Sequence, residues 1–343
     1  MSPAPAPAPA DERPHGLRAV WLGRGLAAWL LWPLSRLYGA LVALRRAAYR
    51  LGLWRASHPG VPVIVIGNVV AGGAGKTPVT LAVLQHLQAR GWRPGVVSRG
   101  YGRRERGLRA VQATSTADEV GDEPLLIHRR SGAPVVVGAD RVAAAGELRR
   151  LHPEVDVIVS DDGLQHLALA RDVEVCVFDE RGTGNGFLLP AGPLREPWPR
   201  RVDLLLAPEA VRPSLGTGAS PQDTGFTLTR RLAAHAVRAD GHRCALADLR
   251  GQAVLAVAGI ARPEAFFAML RAQGLQLLAV QGLPDHYDFN SWTSPVDAGV
   301  PVVCTEKDAP KLWARHPAAW AVPLEVAIEP GFFAALDARL ARR

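Results

Sequence analysis

Gly72, Gly73 and Gly75, followed directly by Lys76 and Thr77, are residue types that can cradle an anion. Glycines let backbone N–H groups turn toward phosphate oxygens, a lysine ammonium reaches β- and γ-phosphates, and a threonine hydroxyl can hold Mg²⁺. The strict pattern for such a loop asks for glycine at position 70, where this chain has Val70. The departure is harmless if the chain there is extended and only Gly72, Gly73 and Gly75 take unusual dihedrals. The binding loop is therefore read as Val70, Ala71, Gly72, Gly73, Ala74, Gly75, Lys76 and Thr77.

Three further stretches carry chemistry. VDVIVSDDGLQH at 155–166 is an apolar strand ending in the carboxylates Asp161 and Asp162, with Gln165 and His166 just beyond. Carboxylates at a strand's C-terminal edge are the usual holders of Mg²⁺ beside a bound triphosphate. GDEPLLIHRRSG at 121–132 adds Asp122 and Glu123. Asp122 also reads as a helix cap, with Pro124 in the first turn, but phosphoryl transfer to an alcohol needs a proton acceptor as well as cation ligands. SRGYGRR at 98–104 sets Arg99 and Tyr101 on a glycine-rich loop, suited to phosphate and to a sugar face.

These residues need elements to position them. VPVIVIGN reads as a buried strand and PVTLAVLQHLQARG as a helix, so the glycine loop sits between strand and helix, as its chemistry requires. Strands are expected at about 62–67, 94–98, 134–138, 156–160, 174–178 and 203–206, alternating with helices. The pattern predicts a P-loop NTPase-type, mostly parallel α/β sheet with a second, smaller α/β lobe. The divisions read from the sequence are a disordered Pro-Ala tail at 1–16, an amphipathic helical segment at 17–56, a P-loop lobe at 57–225, a linker or β-ribbon at 226–250 and the second lobe at 251–343.

The N-terminal segment has a one-sided charge. Between Glu12 and Glu105 no acidic residue appears, while the stretch carries fourteen Arg or Lys. Trp21, Trp29, Trp32 and Trp54 alternate with arginines, a mixture that suits a helix lying in an anionic membrane surface. Its longest uncharged run, Gly25 to Ser35, is about half of the ~20 residues a spanning helix needs, and Pro33 and Arg36 break the stretch further. The apolar content argues against nucleic acid as the partner. Cysteines at 176, 244 and 304 are too far apart for a short metal or redox pair. Arginine outnumbers lysine 37 to 3, which singles out Lys76, Lys307 and Lys311.

Together GNVVAGGAGKTP, SRGYGRR, GDEPLLI, PVVVGADR, DDGLQH, LLPAGPLREP, VAGIARPEAFF, LPDHYDF and TEKDAPKL resemble the tetraacyldisaccharide 4'-kinase family of lipid A biosynthesis. The likeness runs from about residue 17 to 312, and that family also lacks the first glycine of the strict loop. The resemblance implies transfer of the ATP γ-phosphoryl group, with Mg²⁺, to the 4'-hydroxyl of a tetraacylated glucosamine disaccharide 1-phosphate. It implies seating on the cytoplasmic face of the bacterial inner membrane, and no obligate protein partner is inferred. The family's catalytic pair falls on Asp122, as proton acceptor, and His286, as its orienting partner. Thr77, Glu123 and Asp161 become metal-side residues, Asp162, Gln165 and His166 line the site, and Arg99 and Tyr101 face the lipid headgroup. Two rival readings are a membrane-associated switch ATPase, which would carry a second lysine where this chain has Ala71, and a soluble small-molecule kinase, which leaves the tryptophan–arginine helix unexplained.

Overall fold

The computed structural model describes residues 17–73, 75–216, 224–297 and 299–341. The expected tail at 1–16 and Ala74 of the glycine loop lie outside the described residues. In chain order the strands are β1 (Val63–Gly67), β2 (Pro94–Ser98), β3 (Arg109–Ala110), β4 (Val135–Val137), β5 (Val157–Asp161), β6 (Val173–Val177), β7 (Leu204–Ala207), β8 (Thr224–Leu232), β9 (His235–Val237), β10 (Arg243–Ala245), β11 (Ala253–Ala258), β12 (Gln276–Gly282), β13 (Val302–Thr305), β14 (Trp320–Val322) and β15 (Leu324–Ile328). The helices are α1 (Leu17–Val20), α2 (Leu26–Arg50), α3 (Lys76–Ala89), α4 (Ala117–Val120), α5 (Asp122–Ser131), α6 (Arg141–Leu151), α7 (Pro263–Ala272), α8 (Ala309–Leu312) and α9 (Pro330–Leu340).

Among the described residues the strands form two sheets, ordered β15-β8-β7-β6-β1-β5-β2-β4-β3 and β10-β9-β14-β13-β11-β12. The first is parallel from β8 through to β4, with antiparallel strands at its two edges. Its central strands are buried on both faces, which is why VIVIG reads as an unbroken apolar run. The two-residue period still sorts the side chains. Ile64 and Ile66 join the core beneath α3, α5 and α9, while Val63 and Val65 join the core beneath α6. Strands β1 and β5 are parallel neighbours with Ile66 level with Asp161, so the glycine loop and the paired carboxylates leave the sheet at the same height. Crevices at the carboxyl ends of such strands are where ligands bind.

The mostly parallel α/β expectation holds, but two boundaries do not. Strand β8, assigned from sequence to the linker, is a full member of the first sheet. The end of the chain, assigned to the second lobe, returns to the first: β15 pairs antiparallel with β8, and Phe332 and Leu336 of α9 join the core around Ile64. The lobes are thus joined by two adjacent crossings, β8 to β9 and β14 to β15, tied by Ala233 N–H donating to Pro323 O at 2.9 Å. The turn expected at Ala239–Gly241 closes the β9–β10 hairpin.

Helix α2 runs unbroken through Pro33 for 25 residues, long and apolar enough to cross a membrane by length and composition alone. Its two faces differ. Leu26, Leu30, Leu34, Leu37, Leu41 and Leu44 form a stripe in which each side chain is 54–78 % exposed. The opposite face is bonded to the body: Ser35 Oγ donates to Leu188 O at 2.8 Å, Tyr38 OH to Arg195 O at 2.8 Å, and Arg46 pairs with Glu196 at 2.8 Å. Gly39 packs so closely on Leu188 that a Cβ there would lie 2.7 Å from its Cδ1.

Candidate active site

The glycine loop is anchored at the position where it departs from the strict pattern. Val70 is 2 % exposed, bridges Leu194 in antiparallel fashion and offers its carbonyl to Asn68 Nδ2 at 2.7 Å. It is a core residue in extended chain, so glycine has no task there. Gly72 (φ +92°) and Gly75 (φ +67°) take the left-handed conformation, whereas Gly73, expected to do so, does not. Gly73 faces the other lobe, where a Cβ would meet that of Ala261 at an ordinary contact distance of 3.7 Å. Val70→Gly is expected to cost about 2–4 kcal/mol of stability, measured by denaturant unfolding, with no gain in nucleotide affinity. A large gain would make valine a defect.

Helix α3 starts at Lys76, so its first-turn N–H groups and positive end face the loop. Lys76 Nζ lies 3.3 Å from Asn68 Oδ1 and 3.5 Å from Asp162 Oδ1. Asp161 is held from α3 by Thr80 Oγ1 at 2.9 Å, about one turn beyond Thr77. Burial, with Asp162 alongside, raises the Asp161 carboxyl to about 6. Asp162 sits at φ +51°, a strained setting for a non-glycine residue, between Lys76 and Arg195 Nη1 at 3.2 Å. Gln165 Nε2 donates to Asn68 O at 3.0 Å and to Glu196 Oε1 at 2.7 Å.

The second lobe completes the arrangement. His286 Nδ1 meets Asp122 Oδ2 at 2.8 Å, and Lys311 Nζ lies 2.8 Å from the same carboxylate. Asp122 is 6 % exposed. Burial pushes its carboxyl up, but the His286 hydrogen bond and the Lys311 charge outweigh it and hold it below the ordinary value. The same hydrogen bond raises the His286 imidazole, against burial and Lys307. His286 has φ +63°, and its loop is fixed by its own N–H donating to Gly259 O at 3.1 Å. Lys307 Nζ bridges Glu123 at 2.9 Å and Asp285 at 3.1 Å. Asp308 accepts from Gly259 N–H at 2.9 Å and Thr305 Oγ1 at 2.6 Å, pinning the loops that present His286 and Lys307.

A cleft of about 1010 Å³ runs between the lobes. Among the sequence-selected residues it is lined by Gly72, Gly73, Gly75, Lys76, Thr77, Arg99, Tyr101, Glu123, Asp161, Asp162, Gln165 and His286. Asp122 lies just behind this lining, against His286. Tyr101 stands over His286 with ring centroids 5.2 Å apart. Val70, Ala71 and His166 are the exceptions: Val70 is in the core, and Ala71 is tied by its backbone to Pro193 O and Arg181. His166 points elsewhere. It does not border the cleft; its Nε2 accepts the Arg141 backbone N–H at 3.2 Å at the start of α6, and burial and the Arg141 charge lower its imidazole to about 4. A histidine next to a carboxylate pair reads as a site residue, but the turn after Gly163 points it to a helix end.

Residues 27–341 match the family described as LpxK, tetraacyldisaccharide-1-P 4'-kinase. The chain belongs to the tetraacyldisaccharide-1-P 4'-kinase family. It is 60 % identical over 335 residues to a tetraacyldisaccharide 4'-kinase of Acidovorax sp. (strain JS42), covering 98 % of this chain and 96 % of that one. It is 54 % identical to one from Verminephrobacter eiseniae (strain EF01-2), covering 100 % and 79 % respectively. A crystal structure of LpxK from Aquifex aeolicus, an "apo" form in complex with ATP, superposes with a TM-score of 0.79 at 27 % identity, over 92 % of this chain and 100 % of that one. In this family member the residues that sequence reasoning passed over are Thr80, Arg195 and Glu196. The scarcity of lysine had singled out Lys311, without giving it a role. All three lysines of the chain pair with site carboxylates, Lys76 with Asp162, Lys307 with Glu123 and Lys311 with Asp122.

The site also fits a divalent cation. Thr77, Glu123, Asp161 and Asp162 are hard oxygen donors that line the cleft together, and Asp161 is a buried carboxylate with the second carboxylate, Asp162, alongside. Among the described residues no three Asp, Glu, His or Cys side chains converge as a ready-made cage. Mg²⁺ does not require one, because it is commonly held by one or two carboxylates with phosphates and waters.

Proposed function

We propose that this chain transfers the γ-phosphoryl group of ATP to the 4'-hydroxyl of a tetraacylated glucosamine disaccharide 1-phosphate. The observation that carries the reading is the meeting, in one cleft, of a phosphate loop from one lobe with an Asp122–His286 pair 2.8 Å apart across the two lobes. The loop N–H groups and Lys76 take the triphosphate. Thr77, Glu123 and Asp161 are the residues that would hold Mg²⁺, which would supply positive charge to the triphosphate. Asp122 accepts the hydroxyl proton as the sugar oxygen bonds to the γ-phosphorus and the bond to the β,γ-bridging oxygen breaks, leaving ADP. His286 orients Asp122 through Oδ2. Arg99 and Tyr101, exposed at the cleft mouth, suit the acceptor's sugar and phosphate.

We further infer that α2 lies in the cytoplasmic surface of the inner membrane, leucine stripe inward, and does not span it. A spanning helix would drag the polar bonds from Ser35, Tyr38 and Arg46, with the loop at 188–196, into hydrocarbon. Tyr38 also borders the cleft, so the anchor and the acceptor's route are contiguous.

A phosphotransfer assay with labelled ATP and the tetraacyl disaccharide 1-phosphate tests the reaction: labelled lipid is expected, and ATP hydrolysis without it would favour a switch ATPase. Replacing Leu30, Leu34, Leu37 and Leu41 by glutamine tests the seating. With each leucine contributing about 1 kcal/mol or more on leaving water, vesicle flotation is expected to weaken by roughly 100-fold or more with unchanged thermal stability. Undiminished flotation would remove the stripe from that role.

A further inference from the structure

The roles assigned so far leave one cation at the centre of the site without a task. Lys76 faces the phosphate loop and Lys307 bridges Glu123 to Asp285. Lys311, on α8, points its ammonium at Asp122, 2.8 Å from Oδ1 and 2.8 Å from Oδ2, and 3.5 Å from the His286 carbonyl. Its side chain is 14 % exposed.

We propose that Lys311 is a positioning residue for the base of the phosphoryl transfer, an inference that rests on reading Asp122 as that base. A carboxylate held at one oxygen can still turn, because the terminal torsion of aspartate has a broad energy profile. His286 by itself touches only Oδ2. An ammonium that meets both oxygens fixes the carboxylate plane as well. It also leaves the oxygens unequal: Oδ2 has two partners and Oδ1 one, so Oδ1 is the atom with room for an incoming hydroxyl. Both clamps come from the lobe opposite Asp122, so the base is aimed only when the lobes meet. The clamp is itself preset. Asp308, 2 % exposed, anchors the start of α8, and Lys311 N–H donates to its carbonyl at 3.1 Å.

The test compares wild-type enzyme with Lys311→Met, Lys311→Arg, Lys311→Ala and Asp122→Asn, using the full chain, ATP and the tetraacyl disaccharide 1-phosphate in mixed micelles. Lys311→Met is expected to lower kcat by roughly 10- to 100-fold with KM for ATP within about twofold. Lys311→Arg should recover most of the loss, since its fork can span both oxygens. Added ethylamine should raise kcat in Lys311→Ala, a response that a purely structural lysine would not produce. If Lys311→Met keeps wild-type kcat while Asp122→Asn is inactive, Lys311 has no positioning role and the base assignment survives. If Asp122→Asn is active, the base assignment itself falls. Should Lys311→Met misfold, an inactive Lys311→Arg together with no amine response in Lys311→Ala overturns the proposal.

Discussion

Asp122→Asn is expected to lower turnover by roughly 10²–10⁴-fold, the usual contribution of a general base, while ATP binding stays near normal. The substitution keeps the side-chain volume and removes the negative charge that His286 and Lys311 share. Nothing on the phosphate loop depends on Asp122, because Lys76 is held by Asn68 and Asp162 and α3 begins from Gly75. Some loss of stability should accompany it, since a nearly buried ammonium at position 311 loses its counter-charge. Turnover measured beside nucleotide affinity decides the point: near-normal turnover takes Asp122 out of the reaction, and loss of ATP binding recasts it as a structural residue.

The second large effect is expected at Lys76. Lys76→Ala should lower kcat by roughly 10²–10³-fold, the cost of removing a preorganised donor from developing charge, and should also weaken ATP binding. The ammonium sits at the first position of α3, beside the loop and 3.5 Å from Asp162, so its loss leaves Arg195 as the cation on that carboxylate. The pattern separates Lys76 from Lys311. Removing Lys76 affects nucleotide affinity and rate together, whereas removing Lys311 affects rate alone. Titration of ATP into Lys76→Ala by calorimetry, read beside its kcat, checks this; undiminished affinity and rate would place the triphosphate elsewhere.

Much of the site was legible because its chemistry is written in short runs. GGAGKT, DDGLQH and GDEPLLI each carry residue types whose spacing implies a loop, a strand tip or a helix start, and parallel pairing of β1 with β5 then sets two of them side by side. His286 was legible only through its resemblance to a family motif, since a histidine on a loop has no local pattern to mark it. The errors have a common origin. His166 belongs to the same run as Asp161, yet a turn of three residues sends it to a helix end. Gly73 was expected to take an unusual dihedral, yet only Gly72 and Gly75 do, because the loop's course is set by contacts such as Val70 with Leu194, far away in sequence.

By itself the sequence determined the strand and helix alternation, the mostly parallel first sheet, the phosphate loop and an amphipathic N-terminal segment, because apolar periodicity and glycine or proline punctuation act over a few residues. Tertiary structure alone decided that β15 and α9 return to the first lobe, that one face of α2 is bonded to residues 188–196, and that Lys311 reaches Asp122 across 189 positions of sequence. Those outcomes depend on pairing and charge contact between distant segments, whose partners are chosen by the folded geometry and leave no periodic mark in the chain.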